Sequence, residues 1–197
     1  FAALGCGATM VLQVPSPTGG YLNMGDAVVL LGAWLLGPVY GAVAGGVGPA
    51  LADLLSGYAM YVPATLAIKA LMALTAALLY RGLGKRGRTL LPCALAAEVP
   101  MVLGYWLFDA LLVSLSGGGA FGLCLAGSAA GIPGNLVQAG FGAAASVLLA
   151  AALGKALTRR QIMGTIELLE KYRKECGYNV GAGHVLGALA AELEESF

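Results

Sequence analysis

The sequence predicts an all-α integral membrane protein: a six-helix transmembrane bundle over residues 1–157, then a polar cytoplasmic C-terminal helical tail over 158–197. Of its 197 residues, 59% are hydrophobic and only 11% charged, against roughly 25% charged in ordinary soluble domains. Mean hydropathy is +0.83, and the apolar residues fall in runs near the ~20 residues that cross a bilayer. Glycine occurs 31 times with no G-X-Y period. That excludes collagen and points to helices packed closely through small faces.

The first apolar run begins at Phe1 without an initiator Met and ends near Val14. It is read as a truncated first helix, not a signal peptide, because no basic stretch precedes it. Residues 15–24 carry two prolines and two glycines and are expected to form a loop. Asp26 then stands as a candidate N-cap of the second helix. The apolar stretch from Ala27 to Tyr58 is too long for one span and is interrupted at Gly37-Pro38. The expected second and third helices therefore cover 26–36 and 38–57, a Pro just inside a helix start being favourable. At about 11 residues, or roughly 16 Å, the second is short for a full crossing.

An aromatic loop at 58–62, holding Tyr58 and Tyr61, precedes a fourth helix over 63–80. A basic loop over 81–88 leads to a fifth helix at 90–115, which Ser116-Gly-Gly-Gly119 breaks, and a sixth helix covers 128–156. Arg81, Lys85, Arg86 and Arg88, and later Lys155, Arg159 and Arg160, flank spans two apart and so share one side. The positive-inside rule makes that side cytoplasmic. Loops 15–25, 58–63 and 116–127 then face outward together. In the tail, stretches 162–175 and 185–195 read as charged, solvated helices on the cytoplasmic side.

The four cysteines are scattered with no CxxC, and one histidine, His184, stands without HExxH. Neither a metal site nor a cofactor is expected, and a net charge of +1 gives no argument for nucleic acid. Small residues recur at helical spacing: Gly37, Gly41 and Gly45; Ala44, Gly48 and Ala52; and Ala3-xxx-Gly7. Such faces serve internal packing or dock a partner helix.

Ionisable residues inside apolar spans are costlier and more informative. Asp53, Lys69, Glu98 and Asp109 each need a partner inside the bundle, since an uncompensated charge costs about 2.5–3.5 kcal/mol even on lenient scales. Glu98, Val102, Tyr105 and Asp109 lie near one line of the fifth helix, making a polar and aromatic stripe. Asn135 and Gln138 enter the sixth helix three residues apart, and their mixed donors and acceptors suit a neutral heterocycle. Glu98 and Asp109 are separated by roughly 16 Å along a helix, too far to act together as an acid/base pair in an intramembrane enzyme. No Walker A motif occurs, so the chain cannot itself cradle ATP.

Five segments in order, Gly19-Gly-Tyr-Leu-Asn-Met-Gly-Asp26, Leu36-Gly-Pro-Val-Tyr-Gly-Ala42, Ala52-Asp-Leu-Leu-Ser-Gly-Tyr58, Pro63-Ala-Thr-Leu-Ala-Ile-Lys69 and Gly131-Ile-Pro-Gly-Asn135, resemble the substrate-binding S component of energy-coupling factor (ECF) vitamin transporters. The likeness extends over residues 1–157 and is nearest the hydroxymethylpyrimidine branch. The resemblance implies a non-enzymatic subunit that captures a vitamin-like small molecule under its external loops and works with a T component and two ATPase subunits. The ligand could also be pyridoxine, riboflavin or another B vitamin; a membrane scaffold without a ligand is the alternative outside transport. The candidate ligand residues are Asn23, Asp26, Tyr58, Tyr61, Lys69, Glu98, Tyr105, Asp109, Asn135 and Gln138. By the same resemblance, Ala2, Ala3 and Gly7 match the positions that dock the T component.

Overall fold

The computed structural model describes residues 1–11, 13–16 and 20–156, together with Lys171 and Ala188. The predicted helices of the tail otherwise lie outside the described residues. The fold is helical, with one small antiparallel ribbon. In order it contains α1 (Ala2–Val11), β1 (Gln13–Pro15), β2 (Tyr21–Asn23), α2 (Asp26–Leu55), α3 (Val62–Gly82), α4 (Leu90–Leu115), α5 (Phe121–Ser128) and α6 (Ile132–Ala156). Four apolar helical runs, 26–55, 62–82, 87–115 and 121–154, are long enough to cross a membrane.

The first helix stops at Val11 rather than near Val14, and the segment expected to be a loop holds the ribbon instead. Gln13 pairs with Asn23, Val14 with Leu22 and Pro15 with Tyr21. Local Pro and Gly content obscured two three-residue strands, which tertiary contacts hold in place.

Helix α2 breaks at Gly37, where φ is 80° and ψ −176°, a conformation essentially confined to glycine. The chain folds back there, so that a Cβ on Gly41 would lie 2.8 Å from the Ala33 Cα and one on Gly45 would lie 3.0 Å from Val29 Cγ1. Pro38 starts the second segment, where its missing N–H is not needed. Gly37→Ala should lower stability by about 1–3 kcal/mol, read as a lower unfolding midpoint in detergent. A new Cβ there meets no atom within 4 Å, so the loss is conformational and not steric.

The small-residue stripes of α2 are spent on internal packing. Gly46 faces Leu66 and Ala70 of α3, and Gly48 faces Ala2 and Cys6 of α1. The core they permit is rich in alanine: Ala33, Ala73, Ala76, Ala94, Ala97 and Ala143 are buried around Leu30, Met72 and Met101. Outward, Leu91, Leu95, Val99, Leu103, Leu107 and Leu111 of α4 form an every-fourth-residue stripe, each 45–52% exposed. A face of this kind suits hydrocarbon, not water.

Two further expectations are corrected. Residues 116–127 are not simply a loop, since α5 occupies 121–128, followed by a 3-10 turn at Ala129–Gly131 before α6 begins at Ile132. Trp106 Nε1 donates to the Leu125 carbonyl at 2.9 Å, holding α5 against α4. Asp26 is not an exposed N-cap: Gly25 takes that position without a side-chain cap bond, and Asp26 is completely buried.

Candidate functional site

The ribbon forms a roof over the end of the bundle where α2 finishes and α3 and α6 begin. Tyr21 of β2 donates its hydroxyl to Asp53 Oδ1 on α2 at 2.5 Å, and Gln13 Nε2 of β1 donates to Ser56 Oγ at 2.9 Å. The backbone N–H of Asn23 donates to Gln138 Oε1 on α6 at 2.9 Å. Leu22 rests on Gly134, where an added Cβ would approach Leu22 Cδ1 to 3.1 Å. Four attachments to two helices therefore fix a ribbon too short to be stable alone.

Beneath it lies a pocket with about 420 Å³ of empty space, partly open to solvent. Ser16, Gly20, Tyr21 and Asn23 line it from the ribbon side. Asp53, Tyr61 and Thr65 contribute from the α2–α3 junction, Tyr105 and Asp109 from α4, and Asn135 and Gln138 from α6. Tyr61 donates to Asp109 Oδ1 at 3.0 Å, and Tyr105 donates to Thr65 Oγ1 at 3.0 Å. Among the described residues, two carboxylates but no lysine or arginine line this pocket. Its electrostatics favour a ligand that donates hydrogen bonds, and disfavour an anionic one.

Burial, reinforced by Asp53, raises the Tyr21 phenol above its usual range; burial and then Asp109 do the same for Tyr61. Both hydroxyls stay protonated donors at every physiological pH. A group whose folded-state pKa is raised stabilises the fold fully below its unfolded pKa, and that contribution falls as pH rises toward the folded value. Stability should therefore hold up to about pH 10, the ordinary tyrosine value, and decline above it. Tyr21→Phe should flatten part of that decline in a pH series of unfolding midpoints.

Residues 1–155 match the family described as "ECF-type riboflavin transporter, S component". The chain belongs to this S-component family. It is also 44% identical over 98 residues to an "Uncharacterized protein in gap 3'region" of Pyrococcus woesei. That match spans 49% of this chain and 65% of the relative. The family's description names riboflavin and does not support the hydroxymethylpyrimidine branch that the resemblance suggests.

The S component gathers six of the ten candidate ligand residues at its pocket: Asn23, Tyr61, Tyr105, Asp109, Asn135 and Gln138. The other four lie elsewhere. Tyr58 packs behind the lining, its ring 4.7 Å from Tyr21 and 6.3 Å from Tyr61. Lys69 and Asp26 form an ion pair with both side chains fully buried. Gln138 Nε2 donates to the second Asp26 oxygen at 2.7 Å, and the Lys69 ammonium lies 5.5 Å from the centre of the Tyr105 ring. Lys69 and Asp26 thus support the pocket through Gln138 and Tyr105 without lining it.

Glu98 is turned away from the pocket as well. Its carboxylate sits beside Gly142, where an added Cβ would meet Asp26 Cβ at 2.7 Å and Glu98 Oε1 at 2.8 Å. The stripe expected along α4 therefore divides, Tyr105 and Asp109 reaching the pocket while Glu98 joins the Asp26–Lys69 cluster. The third expected roof segment, 116–127, contributes nothing to the pocket lining.

Five lining residues were not among the candidates: Ser16, Gly20, Tyr21, Asp53 and Thr65. Asp53 carried a signal, being ionisable within an apolar span; the ribbon that brings Ser16, Gly20 and Tyr21 inward carried none. On α1, Ala3 and Gly7 are exposed, and an added Cβ on Gly7 meets no atom within 4 Å. Ala2 differs, because its carbonyl packs on Gly48 of α2.

Proposed function

We propose that this chain is the substrate-capture subunit of an ATP-driven vitamin uptake transporter, and that it binds its ligand in the pocket beneath the ribbon. The observation that carries the reading is the enclosure of Tyr61, Tyr105, Asn135, Gln138, Asp53 and Asp109 around one pocket in a chain of the S-component family. The tyrosines offer faces for an aromatic ring, while the carboxylates and amides accept from its N–H and O–H groups. The ligand is an uncharged or cationic heterocycle of vitamin size. Hydroxymethylpyrimidine is the ligand that the resemblance suggests; riboflavin is the second reading, favoured by the family match.

In this reading the two segments of α2 count as separate helices of a six-helix bundle. The ribbon faces outward and the basic 81–88 loop and C-terminus face the cytoplasm. A T component and two ATPase subunits supply the energy. The deciding experiment is extraction of small molecules from the purified protein for mass spectrometry, followed by calorimetry with hydroxymethylpyrimidine, riboflavin and pyridoxine. Retention or binding of one of them is expected; binding of none, by a folded protein, overturns the reading in favour of a scaffold.

The exposed Ala3–Gly7 face supports docking of the T component through α1, since small residues let helix backbones approach closely. A leucine at Gly7 has room in the free subunit. Gly7→Leu should leave ligand affinity unchanged and abolish co-purification with the T component, and intact assembly would rule out this docking face.

A further inference from the structure

At the opposite end of the bundle from the pocket, the α2 turn and the end of α3 border a second cleft, half open to solvent, with about 580 Å³ of empty space. Trp34, Gly37 and Pro38 line it from α2, and Tyr80, Arg81 and Lys85 from α3 and the following loop. We propose that this cleft binds an anionic phosphate group, the chemistry shared by an acidic lipid headgroup and free phosphate.

Four observations converge on an anion. Arg81 and Lys85 have no acidic partner among the described residues, unlike Lys69, which pairs with Asp26. The Trp34 indole N–H is buried and has no acceptor among the described residues, although a buried donor left unmade is costly. Lys85 has φ of 53°, an uncommon conformation for a residue with a side chain. That backbone is held by its N–H donating to the Tyr80 carbonyl at 3.0 Å and by the Tyr80 hydroxyl donating to the Lys85 carbonyl at 3.2 Å. Finally, the helical segment starting at Pro38 opens its N-terminus at this turn, where the first N–H groups lack intrahelical acceptors and favour negative charge.

A bare cationic surface would need neither the indole N–H nor the strained lysine. The aromatic pair, Trp34 and Tyr80 with ring centres 6.1 Å apart, places the cleft among side chains that favour the headgroup level of a bilayer. The inference is independent of which ligand the ribbon pocket holds.

The test reconstitutes the full chain in vesicles of equimolar phosphatidylglycerol and phosphatidylcholine, and counts retained lipids by native mass spectrometry. A parallel arm titrates inorganic phosphate by calorimetry in an uncharged detergent. Retention of phosphatidylglycerol over phosphatidylcholine is expected. It should fall about fivefold for each cation removed, and so about twenty-five-fold in Arg81→Gln/Lys85→Gln. Trp34→Phe, which keeps the ring and removes the donor, should cost about fivefold. Arg86→Gln/Arg88→Gln removes equal charge outside the cleft and should cost less than the cleft pair. Loss of phosphate binding in the cleft variants, with no lipid preference in the parent, assigns the site to free phosphate. Preference for neither, or equal losses in the cleft and control variants, overturns the proposal; unfolding midpoints identify any variant that fails to fold.

Discussion

Lys69→Met should destabilise the protein by about 3–5 kcal/mol, the penalty for leaving one charge of a buried pair uncompensated. Lys69 and Asp26 are both inaccessible to solvent, and methionine nearly fills the lysine's volume, so little of the loss is packing. What remains is the Asp26 carboxylate, whose second oxygen accepts from the Gln138 amide, with the buried Glu98 carboxyl, which has no hydrogen-bond partner among the described residues, near it. The Asp26 charge would then sit in a dry site without a cation. The double variant Asp26→Asn/Lys69→Met removes both charges and should recover most of the loss, because replacing a whole buried ion pair is often nearly neutral. Unfolding midpoints in detergent for the two singles and the double form a cycle. Additive losses would show that the pair is not coupled.

This pair also shows what was legible in the sequence. That Lys69 and Glu98 would be buried follows from how an apolar span places charge, with no knowledge of the fold; Lys69 finds the expected partner in Asp26, whereas the Glu98 carboxyl has no hydrogen-bond partner among the described residues. Which end of the bundle each faces does not follow. Glu98 and Asp109 share a helical line by spacing, yet α4 meets different neighbours along its length: Asp26 and Gly142 near Glu98, and Tyr61 near Asp109. Helical periodicity assigns a face and leaves depth and partner open. Gly37 is the opposite case, since a Gly-Pro within an apolar run too long to span marks the fold-back directly. The ribbon was illegible because β1 and β2 have three residues each and owe their conformation to Asp53, Ser56 and Gln138, all distant in sequence. The pocket's helical walls and the placing of segment 15–25 above them, with Asn23, were therefore foreseeable; the strand pairing that turns Tyr21 inward was not.

The roof is where the second large effect is expected. Asp53→Ala should weaken ligand binding about tenfold to a hundredfold, within the range for losing a hydrogen bond to a charged acceptor. Asp53 lines the pocket and also receives the Tyr21 hydroxyl at 2.5 Å, so under the proposed function it would both meet the ligand and latch the ribbon over it. Tyr21→Phe separates these roles. The ring stays against Tyr58, 4.7 Å away, and Asp53 keeps its place in the pocket, while the latch bond alone is lost. If the ribbon closes over bound ligand, Tyr21→Phe should raise the dissociation rate several-fold and change the association rate little, as affinity changes within one interface usually appear in dissociation. A stopped-flow release measurement checks this: unchanged dissociation in Tyr21→Phe alongside weakened binding in Asp53→Ala would assign Asp53 to ligand contact alone and exclude the latch.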